Sequence, residues 1–370
     1  MNITRTSYFF QRKLFYMIPL FICFTLISPF LTNAQESQPE EAPIYVDNKP
    51  IDTTYLIQDG HLLVPAVFFK NAGVKVDRSE KYHSIFIRNK THALSLPIGK
   101  NYSDEFISKK NNWERFALST KTVEAFDQIF VPFLDVAKKF EMDVRYDQKR
   151  LRTYVTTHSQ DAPNIVNKGS DKKKLVALTF DDGPSESNTS KILDILEEKN
   201  AKATFFVMGD HVESHPQLLK RIVKEGHGIG NHTKTHPSLP DKMTADVIKE
   251  VSSTQDIIEK TTGRKPDIFR PPYGAITKSD AWLLHNMGLR IVTWSVDTKD
   301  WSGKTAEEII TTVENNISPG GIVLQHDFPS TDENTLEGSL EALPEMIDQL
   351  RREEYTFVTV QTMLDENNNL

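Results

Sequence analysis

Two acidic residues, Asp181 and Asp182, stand next to each other at the end of a short apolar run, residues 175–180, and are followed at once by Gly183 and Pro184. The run reads as a buried strand, and Gly-Pro forces a turn. Carboxylates at the mouth of a buried strand are costly unless something there uses them, as a metal or a proton transfer would. The competing reading is a helix N-terminus, where Asp caps free N–H groups. His232 and His236 lie four residues apart in Gly230-Asn231-His232-Thr233-Lys234-Thr235-His236-Pro237, so one helical turn would aim both imidazoles at one point. Two imidazoles and one carboxylate, with a position left open for water, suit a borderline metal such as zinc. Three further polar clusters follow: Phe269-Arg270-Pro271-Pro272-Tyr273-Gly274, then Asp297-Thr298-Lys299-Asp300-Trp301, then Leu324-Gln325-His326-Asp327. His211 and His215 share the four-residue spacing but precede Pro216 at a helix start, so they read as capping or surface residues. His227 and His285 read in the same way.

The elements that must position these residues alternate between strand and helix from residue 175 onward. Strands are expected at 175–180, Ala203–Val207, Gly228–Asn231, 267–270, 290–296, 321–325 and 356–360. Helices are expected at 188–199, 216–225, Thr244–Thr262, 279–286, Ala306–Asn316 and 336–352. Such alternation implies an α/β domain with a parallel sheet, open or closed into a barrel. In either architecture ligands bind at the carboxyl ends of the strands, and all five polar clusters fall there.

Five clusters in this order resemble the five motifs of the polysaccharide deacetylases, the NodB-homology domain or carbohydrate esterase family four. The resemblance covers residue 175 to the C-terminus and implies a distorted (β/α) barrel. It implies that Asp182, His232 and His236 hold one divalent metal, zinc by expectation. Asp181 would be the general base and His326 the general acid. Arg270 would hold Asp181 in place, and Asp297 would orient His326, with Asp300 in the same loop as the alternative. The backbone N–H of Tyr273 would bind the oxyanion, and Trp301 and Leu324 would line the acetyl pocket. The expected activity is hydrolysis of acetamide groups on N-acetylated sugars of a cell-surface polysaccharide, with peptidoglycan N-acetylglucosamine favoured. Chitooligosaccharides, an exopolysaccharide, N-acetylmuramic acid and O-acetylated xylan are alternatives. A non-catalytic wall-binding protein on the same scaffold is a further one.

Residues 43–157 have a different texture, with short strands and one or two helices. Val64-Pro65 before Ala66–Ala72 recurs as Val131-Pro132 before residues 133–140, and a strand pair follows each, so a small duplicated α+β domain is expected. The pattern resembles the copper amine oxidase N-terminal-like domain. His61, His83 and His92 are scattered in it, without partners at ligand spacing. Residues 158–174 read as a linker into the 175–370 domain.

Composition narrows the setting. The chain has 370 residues and a formal net charge of −7, with no basic block to serve as a nucleic-acid footprint. Arg5, Arg12 and Lys13 precede an uncharged apolar run at 14–31, so residues 1–34 read as a signal peptide or a membrane anchor, and 35–42 as a spacer. The remainder is expected outside the cytoplasm, at the cell surface or secreted. The single cysteine, Cys23, lies in the apolar run, so the exported part has neither a disulfide nor a thiol nucleophile.

Overall fold

A computed structural model describes residues 40–329 and 336–368. The apolar segment read as a signal or anchor lies outside them. Among the described residues no helix is long and apolar enough to cross a membrane.

The C-terminal half is built on one parallel sheet. Its strands run in the order Ile165–Val166, Arg290–Val292, Ile268–Phe269, Gly228–Asn231, Ala203–Val207, Leu175–Asp181, Gly321–His326 and Val296–Asp297, and Thr356–Phe357 pairs with the start of Leu175–Asp181. The sheet is strongly curled, and its connectivity requires that. Six strand spacings, about 29 Å in a flat sheet, separate Arg290–Val292 from Val296–Asp297. Only residues 293–295 join them, a reach of about 14 Å. The stretch 290–296, expected as one strand, is therefore two strands at opposite sides of a near-closed half-barrel. Ile165–Val166, inside the stretch read as linker, belongs to this sheet.

Alternation along Leu175–Asp181 sorts its side chains between two cores. Val176, Leu178 and Phe180 pack outward against Leu193, Leu196, Leu343 and Ile347 of the covering helices. Ala177 faces inward with Phe206, Ile268, Val292 and Ile322, and the helix Val360–Asn368 closes that inner core through Val360 and Met363. The last strand is thus shorter than expected and gives way to a helix. Thr179 and Asp181 share the inward parity of Ala177, so Asp181 points into the open end of the curl.

The N-terminal half is rich in strand. One sheet of seven strands and a five-stranded antiparallel meander, Lys75–Ser79 to Asn112–Ala117, enclose a core of Val64, Phe69, Ile85, Leu96, Val131 and Phe133. The two Val-Pro strands, His61–Pro65 and Gln128–Pro132, pair antiparallel with Val64 opposite Val131, as a local two-fold would place them. The segment Ala66–Ala72 is a 3-10 helix ending at Gly73 in the left-handed conformation, and Phe133–Lys139 is an α-helix.

The two halves are joined by polar contacts, most of them buried. Lys70 is fully buried; its ammonium donates to the Leu239 and Lys242 carbonyls, both at 2.7 Å, and lies 3.0 Å from Asp280 Oδ1. Asp77 accepts from the Ala245 amide at 2.8 Å, and Thr244 Oγ1 accepts from the Val76 amide at 3.0 Å. Asp77 thereby caps the helix Thr244–Thr262 by taking one of its first-turn N–H groups.

Candidate active site

Strand register brings the site together. Asp181 sits opposite His326 on one neighbouring strand and Phe206 on the other. Asn231, just before His232, sits opposite Phe269, just before Arg270. Chain direction does the rest, since all these strands end on the same rim.

Asp182, His232 and His236 converge there, with one ligand atom from each lying within 4.8 Å of the others. Asp182 Oδ1 is 3.3 Å from Nε2 of each imidazole, and it is buried without a hydrogen-bond partner among the described residues. Nδ1 of His232 donates to the Arg270 carbonyl at 2.7 Å, which leaves the lone pair of Nε2 facing Asp182. An orphaned buried carboxylate oxygen between two inward-facing imidazole nitrogens fits a divalent cation. Burial works against the charge of Asp182, but the neighbouring imidazoles of His232, His326 and His236 pull its pKa down to about 2. Asp182, Thr233, His236 and Tyr273 all have positive φ, between 59° and 79°. Non-glycine residues held there cost about 1–3 kcal/mol each, and such residues cluster at functional sites.

Asp181 is divided between two neighbours. Its Oδ1 accepts from Arg270 at 2.7 Å, while Oδ2 is 3.8 Å from His232 Nε2. The Arg270 guanidinium is fully buried, bonded also to Thr179 Oγ1 at 2.8 Å and the Thr293 carbonyl at 3.0 Å, and it lies 4.0 Å over the Phe206 ring. This buried guanidinium fixes the position of the Asp181 carboxylate and pairs with its charge.

The carboxylate on His326 is Asp300, not Asp297. Nδ1 of His326 donates to Asp300 Oδ1 at 2.7 Å, and Asp300 Oδ2 accepts from the His326 amide at 2.9 Å and from Ser339 Oγ at 3.1 Å. Asp297 ends its strand opposite Leu324, and its Oδ1 accepts from the Lys299 amide at 2.9 Å to turn the chain. The turn carries Asp300 back beneath the end of the neighbouring strand. Burial disfavours the charged imidazole, but the hydrogen bond and charge of Asp300, with Asp182 and Asp181 adding, push the pKa of His326 up to about 9.

The remaining expected residues lie at the rim. Tyr273 is 70% exposed, its ring edge-on to His236 at 4.6 Å, and its amide is the first backbone donor after Pro271 and Pro272. Leu324 is buried beside Asp297, and Trp301 is about half exposed next to Asp300.

Several supporting groups escaped the sequence reading. Asp327 Oδ1 accepts from the Gly183 amide at 2.9 Å and Oδ2 from Thr189 Oγ1 at 2.6 Å, while its own amide donates to the Asp181 carbonyl at 3.0 Å. A Cβ on Gly183 would sit 2.1 Å from Asp327 Oδ2, so only glycine allows this approach. Burial pushes Asp327 up to about 7, with the charges of Asp182 and Asp181 adding to that and its two hydrogen bonds opposing it. His211, read as a surface residue, bonds the Asp182 carbonyl through Nδ1 at 2.5 Å and stacks on Phe328 at 3.9 Å. His227 is buried instead of exposed; its Nδ1 accepts from the Ala203 amide at 3.2 Å. Adjacency to a motif was the available signal for Asp327; none pointed to His211.

Comparison with known proteins agrees with this geometry. Residues 168–292 match the polysaccharide deacetylase family model, and residues 45–156 match the copper amine oxidase N-terminal domain. A peptidoglycan-N-acetylglucosamine deacetylase of Bacillus cereus is 38% identical over 233 residues, which is 63% of this chain and 83% of that protein. The peptidoglycan-N-acetylmuramic acid deacetylase PdaC of Bacillus subtilis is 33% identical over 268 residues, 68% of this chain and 55% of that protein. A solved peptidoglycan N-acetylglucosamine deacetylase, in complex with 4-naphthalen-1-yl-N-oxidanyl-benzamide, superimposes with a TM-score of 0.52 at 41% identity, over 54% of this chain and 92% of that one. With a relative of that identity spanned over most of its length, this chain belongs to the polysaccharide deacetylase family.

Proposed function

We propose that this protein hydrolyses the acetamide groups of N-acetylated sugars in a cell-wall polysaccharide, with peptidoglycan N-acetylglucosamine as the substrate. The observation that carries the reading is the division of labour between two adjacent acids. Asp182 faces two imidazoles, and Asp181 is held off them by a buried arginine.

In this reading Asp182, His232 and His236 hold one zinc ion. When bound, it polarises the acetamide carbonyl and lowers the pKa of an attacking water. Asp181 takes a proton from that water through Oδ2, with Arg270 fixing Oδ1. The water oxygen bonds to the acetamide carbon, and the Tyr273 amide donates to the developing oxyanion. His326, protonated and oriented by Asp300, gives its proton from Nε2 to the sugar nitrogen as the carbon–nitrogen bond breaks. Acetate and a free amine leave. Leu324 and Trp301 border the space for the acetyl methyl group. The chain acts outside the cytoplasm, brought there by its N-terminal apolar segment.

The relative named a peptidoglycan-N-acetylmuramic acid deacetylase supports one second reading, N-acetylmuramic acid within the same polymer. Acetate release from purified peptidoglycan, chitooligosaccharides and acetylated xylan tests the assignment, with the position of each new amine mapped by mass spectrometry of muramidase digests. Free amines on glucosamine units are expected. Amines on muramic acid alone would replace the substrate, and acetate from xylan alone would overturn it.

A further inference from the structure

A crevice of about 850 Å³ separates the N-terminal half from the rim of the catalytic sheet, within the ~300–1,000 Å³ range of small-molecule sites. One wall continues the two loops that carry His236 and Tyr273. It includes Asp241 and begins at Gly274, one Cα step of about 3.8 Å beyond Tyr273. The other wall comes from the N-terminal half. It consists of the strand Lys49–Gln58 and the hairpin tip Phe126-Asp127 that joins Val123–Ala125 to Gln128–Pro132. Phe126 is 43% exposed. Asp52 and Thr54 are two residues apart on one face of their strand, and Thr54 Oγ1 reaches Gln128 Oε1 at 3.4 Å. The wall is not loosely tethered, because the buried Lys70 ammonium and the capped helix start fix it against the catalytic half.

An open aromatic face amid hydroxyl, amide and carboxylate groups matches a sugar ring, which offers C–H faces and a polar rim. The charge is one-sided. None of the carboxylates of Asp52, Asp127 and Asp241 makes a hydrogen bond or ion pair among the described residues, whereas Arg78, the cation of the lining, is held by Glu80 and Glu124 at 2.6 and 2.5 Å. An acetamide is neutral, and the amine left by its hydrolysis is a cation when protonated. We propose that this crevice is a second glycan site, which holds sugar residues beside the one at the metal-binding triad and prefers residues that have already lost their acetyl groups. The inference rests on the glycan-deacetylase reading above. It gives the N-terminal half a role in drawing the enzyme along a chain it has begun to deacetylate.

The test is calorimetric binding of a chitosan pentamer to the full chain, at a pH that keeps the amines protonated, beside the fully acetylated pentamer. The variants are Asp52→Asn with Asp127→Asn, and Phe126→Ala. All three positions are exposed, and Asn tolerates the left-handed backbone of Asp127. The chitosan pentamer should bind more tightly than the acetylated one. The double variant should lose about tenfold in affinity for it, the usual effect of one hydrogen bond to a charged group, and the difference should shrink at high salt. Phe126→Ala should weaken both ligands. Affinities unchanged in both variants would overturn the proposal. Binding needs no turnover, so a chain that binds as expected but releases no acetate from any substrate would defeat the deacetylase reading and leave the glycan site standing.

Discussion

Asp300→Asn, measured beside Asp297→Asn, separates the residue that tunes the general acid from its neighbour three positions away. The rise of His326 from its ordinary 6.5 to about 9 corresponds to about 3 kcal/mol in favour of the protonated ring, and Asp300 heads the groups that raise it. Asparagine keeps the shape and removes the charge. The ring then protonates closer to its ordinary value, so less of it can donate at pH 7 and above. Its tautomer is also no longer imposed, because an amide can present either N–H or C=O to Nδ1. We expect kcat to fall about 10²-fold or more, the usual scale of general acid catalysis, and the high-pH limb of the kcat/KM profile to move to lower pH. Asp297→Asn keeps the acceptor that bonds the Lys299 amide. It should stay within about twofold, the scale of a mild substitution away from buried networks. The assay is acetate release from pH 5 to 10, with the metal content of each variant measured in parallel. A greater loss from Asp297→Asn, or a high-pH limb that Asp300→Asn does not move, would refute the assignment.

Asp181→Asn should abolish turnover yet bind metal as the unsubstituted chain does, whereas His232→Ala should lose both; metal analysis beside acetate release distinguishes them. Asp327 has a pKa raised from about 3.8 to about 7, so the stability it contributes is present below pH 4 and lost as pH rises through 7. Asp327→Asn should therefore unfold with a flatter pH dependence over that window, in denaturant titrations at several pH values, while Asp327→Ala, which frees the Gly183 amide, should be less stable than Asn throughout. Lys70→Met leaves Asp280 buried without its cation, and loss of one partner of a buried pair costs about 3–5 kcal/mol. It should lower the Tm and expose the interface between the two halves to proteolysis before the catalytic half is cut.

The catalytic half was legible in the sequence because its physics is local. A parallel strand buried on both faces reads as an apolar run, and polar residues placed after such runs must gather on one rim, as Asp182, His232 and His236 do. What the sequence did not show depends on how the chain folds back. Asp297 and Asp300 are chemically alike and share a loop, and only the turn at Lys299 decides which of them reaches His326. Residues 290–296 have the composition of one strand, but they bridge the mouth of the curl. Lys70 sits in a short segment where a lysine is expected in solvent; its burial is dictated by carbonyls 169 and 172 residues away. The crevice between the halves has the same origin, since its walls are distant in sequence and no motif joins them.

The most direct test of the central claim is a paired count of acetate and free amine released from purified peptidoglycan by the full chain, first after chelation and then with zinc restored. The account predicts no release by the chelated protein and recovery with zinc, with one new sugar amine for each acetate. Release that persists through chelation, or acetate without matching amine, would contradict it.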